Sequence, residues 1–131
     1  MPDALKVLVV DDSAIYRSLV QGCLREMPDL QCVGTANDGK DAIAKAGELR
    51  PDIILLDVEM PDLDGIEVCR QVKEDAELKH IPVIILTATQ DPKLNERSFK
   101  AGAEITILKS VPGERLLNML RLSLEKGRPS A

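Results

Sequence analysis

Three carboxylates, a hydroxyl and an ammonium stand where short apolar runs stop. Lys6 to Val10 ends on Asp11-Asp12, Ile53 to Leu56 on Asp57, Pro82 to Leu86 on Thr87, and Ile105 to Leu108 on Lys109. Each residue taken singly is explained by ordinary capping, because Asp and Thr commonly follow a strand and cap the next helix. As a set they imply more. In a parallel sheet all four ends lie along one edge, so side chains roughly twenty to forty-five residues apart converge on one crevice. Three carboxylates within about 5 Å repel at roughly 3 kcal/mol per pair at an effective dielectric of about 20, and one lysine offsets only part of that. Either carboxyl pKa values rise or a divalent cation sits among them, and an all-oxygen cluster open to solvent suits Mg²⁺. A carboxylate nucleophile, a cation to neutralise phosphoryl oxygens, and a hydroxyl and an ammonium to donate to them are the parts of a phosphoryl-transfer site.

The elements that must position these groups are legible in the apolar pattern. Ile53 to Leu56 is too short for a core helix and lies between Pro51 and a Pro/Asp/Gly turn, which marks a strand buried on both faces. Lys6 to Val10, Gln31 to Ala36, Pro82 to Leu86 and Ile105 to Leu108 read the same way. Between them, apolar residues recur at helical spacing. Ile15, Leu19, Val20, Cys23 and Leu24 are expected to face the core from a first helix capped by Asp12 or Ser13, and Ala42, Ile43, Ala46 and Leu49 from a second over about 40–49. Ile66, Val68, Cys69 and Val72 mark a third helix running to about Leu78. Asp91-Pro92 caps and opens a fourth that closes at Gly102, and Leu116, Leu117, Leu120 and Leu124 mark a fifth beginning at Pro112. Strands alternating with amphipathic helices predict an α/β domain, a parallel sheet with helices on both faces. One domain is expected over 1–126, with 127–131 as a tail or linker.

Composition narrows the function. The net charge of -5 argues against a nucleic-acid partner, which requires a cationic surface. Tyr16 and Phe99 are the only aromatics, so the stacking surfaces used by flavins and bases are missing. No apolar run approaches the roughly 18 residues of a membrane span and the N-terminus has no signal-peptide pattern, so a cytoplasmic protein with no membrane partner is expected. Cys23, Cys32 and Cys69 lack metal or redox spacing and read as reduced core thiols. His80 reads as a solvated loop residue.

With these residues in place, the chain resembles the receiver domain of bacterial two-component response regulators. The acidic pair Asp11-Asp12, the segment Asp57-x-x-Met60-Pro61-x-x-Asp64-Gly65, Thr87-Ala88 and Lys109 follow that family's order and spacing. The resemblance implies a flavodoxin-like (βα)5 fold with strand order 2-1-3-4-5. It further implies phosphorylation of Asp57 by a histidine kinase or phosphotransfer protein, with Mg²⁺ held by Asp12, Asp57 and the Glu59 carbonyl and by Asp11 through water. Thr87 and Lys109 would contact the phosphoryl oxygens, Ala88 would leave room beside them, and Glu59 and Thr89 occupy positions that tune phosphoryl lifetime. A downstream protein or a C-terminal output domain would read the fourth helix, fifth strand and fifth helix, where Arg115, Met119, Arg121, Leu122 and Lys126 are candidate contacts. Asp11-Asp12-Ser13-Ala14 and Val33-Gly34-Thr35-Ala36 look most like chemotaxis-type receivers.

Two positions depart from the family. Ser110 follows Lys109 where proline is usual, so the bond is expected to be trans with a reshaped loop, or strained, a non-proline cis bond costing about 2.5–4 kcal/mol. Thr106 stands where a switch aromatic is common. Two rival readings follow: a phosphorylation-independent scaffold, which the altered switch positions keep open, and an aspartyl-phosphate phosphatase, whose two aspartates one residue apart are not matched by the adjacent Asp11 and Asp12.

Overall fold

The alternation resolves into β1 (Leu5–Val10), α1 (Ala14–Arg25), β2 (Leu30–Ala36), α2 (Gly39–Leu49), β3 (Ile53–Asp57), α3 (Gly65–Glu74), β4 (Val83–Thr87), α4 (Pro92–Lys100), β5 (Ile105–Leu108) and α5 (Gly113–Gly127). The structure, a computed structural model, describes residues 4–60 and 63–127, with side-chain surroundings through 124. Pro61 of the expected turn motif, the side chain of Lys126 and the tail beyond Gly127 lie outside the described residues. The sheet is parallel with order β2-β1-β3-β4-β5, the flavodoxin-like arrangement.

β3 is buried along its whole length because its alternating side chains feed two cores. Ile54 and Leu56 join Leu8, Val10, Ala42, Ala46, Val68 and Val72 on the α2–α3 side, while Ile53 and Leu55 join Val7, Val9, Val20, Leu24, Leu117 and Leu120 on the α1–α5 side. Each core removes branched aliphatic chains from water, at about 1.5–3 kcal/mol for each fully buried side chain. The helix starts follow local chemistry. Ser13, Asp38, Asp64 and Asp91 each accept a backbone N–H of the first turn, and Pro92 supplies a preset φ behind Asp91. Gly102 ends the α4 segment at φ +101, a conformation side chains disfavour.

Two expectations need correction. Ile15 and Leu19 do not face the core, being 84% and 53% exposed. They form a neighbouring i, i+4 row, and the buried row of α1 runs through Val20 and Leu24 with Tyr16 and Cys23 partly covered beside them. The third helix stops at Glu74, short of Leu78, because Asp75 turns extended and its carboxylate accepts the Glu77 N–H at 2.8 Å. This Asx turn competes with the helix ladder, and Leu78 is buried from the turn instead. Among the described residues no peptide bond is cis, so Lys109–Ser110 is trans. Cys69 is buried, which pushes its thiol up to about 11, while Cys23 and Cys32 are half-buried and all three are free. His80 is exposed. Among the described residues no helix is long and apolar enough to cross a membrane.

The turn after β3 is held by close backbone contact. Gly65 N–H donates to the Val58 carbonyl at 3.0 Å, and a Cβ at residue 65 would fall 2.2 Å from the Asp57 carbonyl oxygen. Gly65→Ala is therefore expected to lose about 1–3 kcal/mol of stability. Gly47→Ala, at a helical position with open space around it, should gain about 0.5–1 kcal/mol. Urea denaturation of the two variants checks both signs.

Candidate functional site

Register decides which side chains meet. Val10 pairs with Leu56, Asp57 with Leu86 and Thr87 with Leu108, so the residues at or just past these ends stand side by side on the C-terminal edge. Backbone bonds lock the ends in line: Asp11 N–H to the Ala36 carbonyl at 3.0 Å, Val58 N–H to Leu86 at 3.0 Å, and Lys109 N–H to Thr87 at 2.8 Å. β5 lies two strand spacings from β3, roughly 9.6 Å. A short side chain on β5 could not cross that gap, and the long lysine stem does.

The Lys109 ammonium lies 2.7 Å from Asp11 Oδ2 and 3.2 Å from Asp57 Oδ1. Asp11, Asp57 and Thr87 are buried, whereas Asp12 is exposed at the mouth. Asp11 Oδ1 accepts the Ser13 N–H at 2.8 Å, and Asp57 Oδ1 accepts the Glu59 N–H at 3.3 Å. One carboxylate oxygen from each of Asp11, Asp12 and Asp57 lies within 4.8 Å of the others, a spacing that can hold one cation. The donor set is all oxygen and asymmetrically exposed, with Asp12 on the solvent side. This fits a hard, partly hydrated divalent ion. The enclosed Asp11 Oδ2 faces the Lys109 ammonium at 2.7 Å.

Burial, and then the charge of Asp11, push the Asp57 carboxyl up to about 6 against the pull of Lys109. Burial works to lower the Lys109 ammonium, but its hydrogen bond to Asp11 and the charges of both carboxylates outweigh this and the net direction is up. Thr87 is turned to its own loop: its hydroxyl donates to the Thr89 carbonyl at 3.2 Å and accepts the Thr89 N–H at 3.3 Å. Ala88 is exposed beside it. Thr106 does not fill the space behind this loop, where a cavity of about 200 Å³ is lined by Thr87, Thr89, Asn95, Thr106, Val111 and Met119.

Two residues that the sequence reading did not place at the site lie beside it. Arg17 donates from Nη1 to the Asp11 carbonyl at 2.5 Å, and the Tyr16 ring centroid lies 4.7 Å from the Lys109 ammonium. Their place one helical turn past the acidic pair is the only hint of this in the sequence.

Residues 7–121 match the family model of the response regulator receiver domain, and the chain belongs to that family. It is 38% identical over 122 residues to response regulator protein VraR of Staphylococcus epidermidis, covering 93% of this chain and 57% of that protein. To VraR of Staphylococcus aureus it is 39% identical over 117 residues, covering 89% and 55%. The chain thus spans about half the length of the curated relatives it matches. Among solved structures, a signal receiver domain from Mycobacterium tuberculosis named for the response regulator NarL superposes with TM-score 0.90 at 29% identity, covering 97% of this chain and all of that one. The response regulator domain of Thermotoga maritima CheB superposes with TM-score 0.80 at 30% identity, covering 95% and 96%. The chemotaxis protein CheY4 of Vibrio cholerae superposes with TM-score 0.82 at 33% identity, covering 91% and 98%, while these curated relatives are VraR.

The charge arrangement predicts a pH-dependent role for Lys109. Folded, Asp57 keeps its proton to about pH 6, against an ordinary value of 3.8. Between those values the folded chain binds the extra proton, so stability falls as pH rises. Lys109→Met removes a charge that limits this effect. The variant is expected to be about 1–3 kcal/mol less stable than wild type at pH 7 and nearly equal to it at pH 4. Urea denaturation at both pH values measures this, and an equal loss at both would assign Lys109 a packing role instead.

Proposed function

We propose that this receiver domain is a phosphoacceptor in a two-component pathway. Asp57 takes a phosphoryl group from the phosphohistidine of a sensor histidine kinase or a phosphotransfer protein. The phosphorylated chain then presents an altered α4–β5–α5 surface to an output protein or a C-terminal output domain. The observation that carries this reading is Lys109 joining Asp11 to Asp57 at the end of a fully buried strand. The catalytic chemistry is confined to the chain's own phosphorylation and dephosphorylation.

In the transfer, an Asp57 carboxylate oxygen attacks phosphorus and the P–N bond to the donor imidazole breaks. The bonding pair leaves with the imidazole nitrogen, and an acyl phosphate forms. Asp12, Asp57 and the Glu59 carbonyl would hold Mg²⁺, with Asp11 through a water, and the ion would supply positive charge to the phosphoryl oxygens. Lys109 is near enough to follow Asp57 Oδ1 onto a phosphoryl oxygen.

Thr87 couples the event to the loop by counting protons. A hydroxyl has one hydrogen to donate, and in the free chain it goes to Thr89. Donating it to a phosphoryl oxygen releases the Thr89 carbonyl, and the 88–91 segment must rearrange. The cavity beside Thr106 gives that segment space to move without an aromatic ring. On the helices of the same face, Phe99 of α4 is 77% exposed and Leu122 of α5 64% exposed, apolar side chains available to a protein partner. Arg115 is exposed too, whereas Arg121 is ion-paired with Asp29 at 2.6 Å and Met119 packs partly against the core, so these two are less free to serve a partner.

Incubation with acetyl phosphate and Mg²⁺ should add one phosphoryl group, read by intact-mass spectrometry. Chelation or Asp57→Asn should abolish it. No incorporation in wild type, or full incorporation in Asp57→Asn, would refute the reading. With beryllium fluoride and Mg²⁺ as a phosphoryl mimic, amide signals of Thr89 and Gln90 should shift in wild type and in Thr87→Ser but stay near their free positions in Thr87→Val. An equal shift in Thr87→Val would exclude the hydroxyl as the coupling group.

A further inference from the structure

We infer that Tyr16 is a positioning residue for Lys109: its ring face holds the ammonium between Asp11 and Asp57 and guides it to the phosphoryl oxygen. This rests on the phosphoacceptor reading above.

The Lys109 stem crosses from β5 to the β1–β3 end of the crevice, and the charge it carries is free to swing unless something closes the remaining side. The two carboxylates occupy part of its surroundings at 2.7 and 3.2 Å, and the Tyr16 ring lies 4.7 Å away at its centroid. A cation within about 6 Å of an aromatic face is attracted to the ring quadrupole. Tyr16 is anchored in main chain and side chain alike. Its backbone N–H donates to the helix-capping Ser13 Oγ at 3.2 Å, and its side chain packs against the core shared by α1 and α5.

An aromatic face suits this position better than the other ways of holding an ammonium. A third carboxylate would add to the repulsion between Asp11 and Asp57 and would compete with an arriving phosphoryl group for the lysine. A small side chain would let water solvate the ammonium and loosen it. A neutral ring attracts the cation, excludes water from one side, and yields when a doubly charged phosphoryl group offers a stronger partner. The chain has one tyrosine and no tryptophan, and the tyrosine is at this point. The argument uses the ring and not the hydroxyl, so phenylalanine should replace it.

The test compares wild type, Tyr16→Phe and Tyr16→Leu. In the free protein, the Lys109 ε-methylene protons should be displaced upfield by the ring current in wild type and Tyr16→Phe, and should return to ordinary lysine positions in Tyr16→Leu. The rate of phosphorylation by acetyl phosphate with Mg²⁺ should fall about two- to tenfold in Tyr16→Leu, the range for a cation over an aromatic face, and be restored in Tyr16→Phe. Undisplaced Lys109 signals in wild type would overturn the inference, as would a slowed Tyr16→Leu whose Lys109 signals match wild type, or a Tyr16→Phe as slow as Tyr16→Leu. Should Tyr16→Leu fail to fold, the wild-type and Tyr16→Phe spectra and rates still decide it. A wild type that accepts no phosphoryl group but shows the displaced signals would remove the phosphoacceptor reading and leave the placement of Lys109 standing.

Discussion

A single ammonium between two buried carboxylates sets the terms for the rest of this molecule. Asp11 and Asp57 are both buried, and Lys109 meets both. One positive charge against two negative ones, with the exposed Asp12 a third, leaves the crevice short of cation. Burial first, and then this imbalance through Asp11, holds the Asp57 carboxyl above its ordinary value. The same imbalance would favour a divalent cation in the crevice, and in the phosphoacceptor reading proposed above that cation would offset the charge of an arriving phosphoryl group. Replacing the cluster with apolar residues would remove this electrostatic burden and the chemistry with it.

The fold serves this arrangement by fixing the strand ends to a common line. Parallel register brings Asp11, Asp57, Thr87 and Lys109 to one edge, and two aliphatic cores clamp β3 so that Asp57 has little freedom to retreat. Close contact at Gly65 pins the carbonyl of the same residue. In the proposed mechanism the parts that would move are few: the stem of Lys109, the hydroxyl of Thr87, and the loop it holds through Thr89. Thr106 leaves space where a bulkier residue would restrict that loop.

Most of this was legible in the sequence because strand-end residues obey a topological rule. Once the apolar runs were taken as parallel strands, the meeting of Asp11, Asp57, Thr87 and Lys109 followed, and the helix rows of α2, α3 and α5 followed from spacing. The pattern misled where two apolar rows run side by side. Ile15 and Leu19 have the same period as Val20 and Leu24, and only packing against α5 decides which row is covered. The end of α3 was obscured because Leu78 is buried as a helical residue would be, although an Asx turn places it. Tyr16 and Arg17 were missed because the role of the first depends on where a lysine 93 residues later in the chain reaches, and that of the second on a backbone carbonyl that no pattern displays. The closer approach of Lys109 to Asp11 than to Asp57 is a matter of side-chain geometry, which strand order leaves open.

The most direct measurement is a carboxyl-carbon NMR titration of Asp57 in isotopically labelled protein, first with a chelator present and then with Mg²⁺. Burial of Asp57 together with the charge of Asp11 beside it predicts a midpoint near pH 6 with the chelator and a displacement to much lower pH with the ion. A midpoint at the ordinary 3.8, unmoved by Mg²⁺, would contradict it.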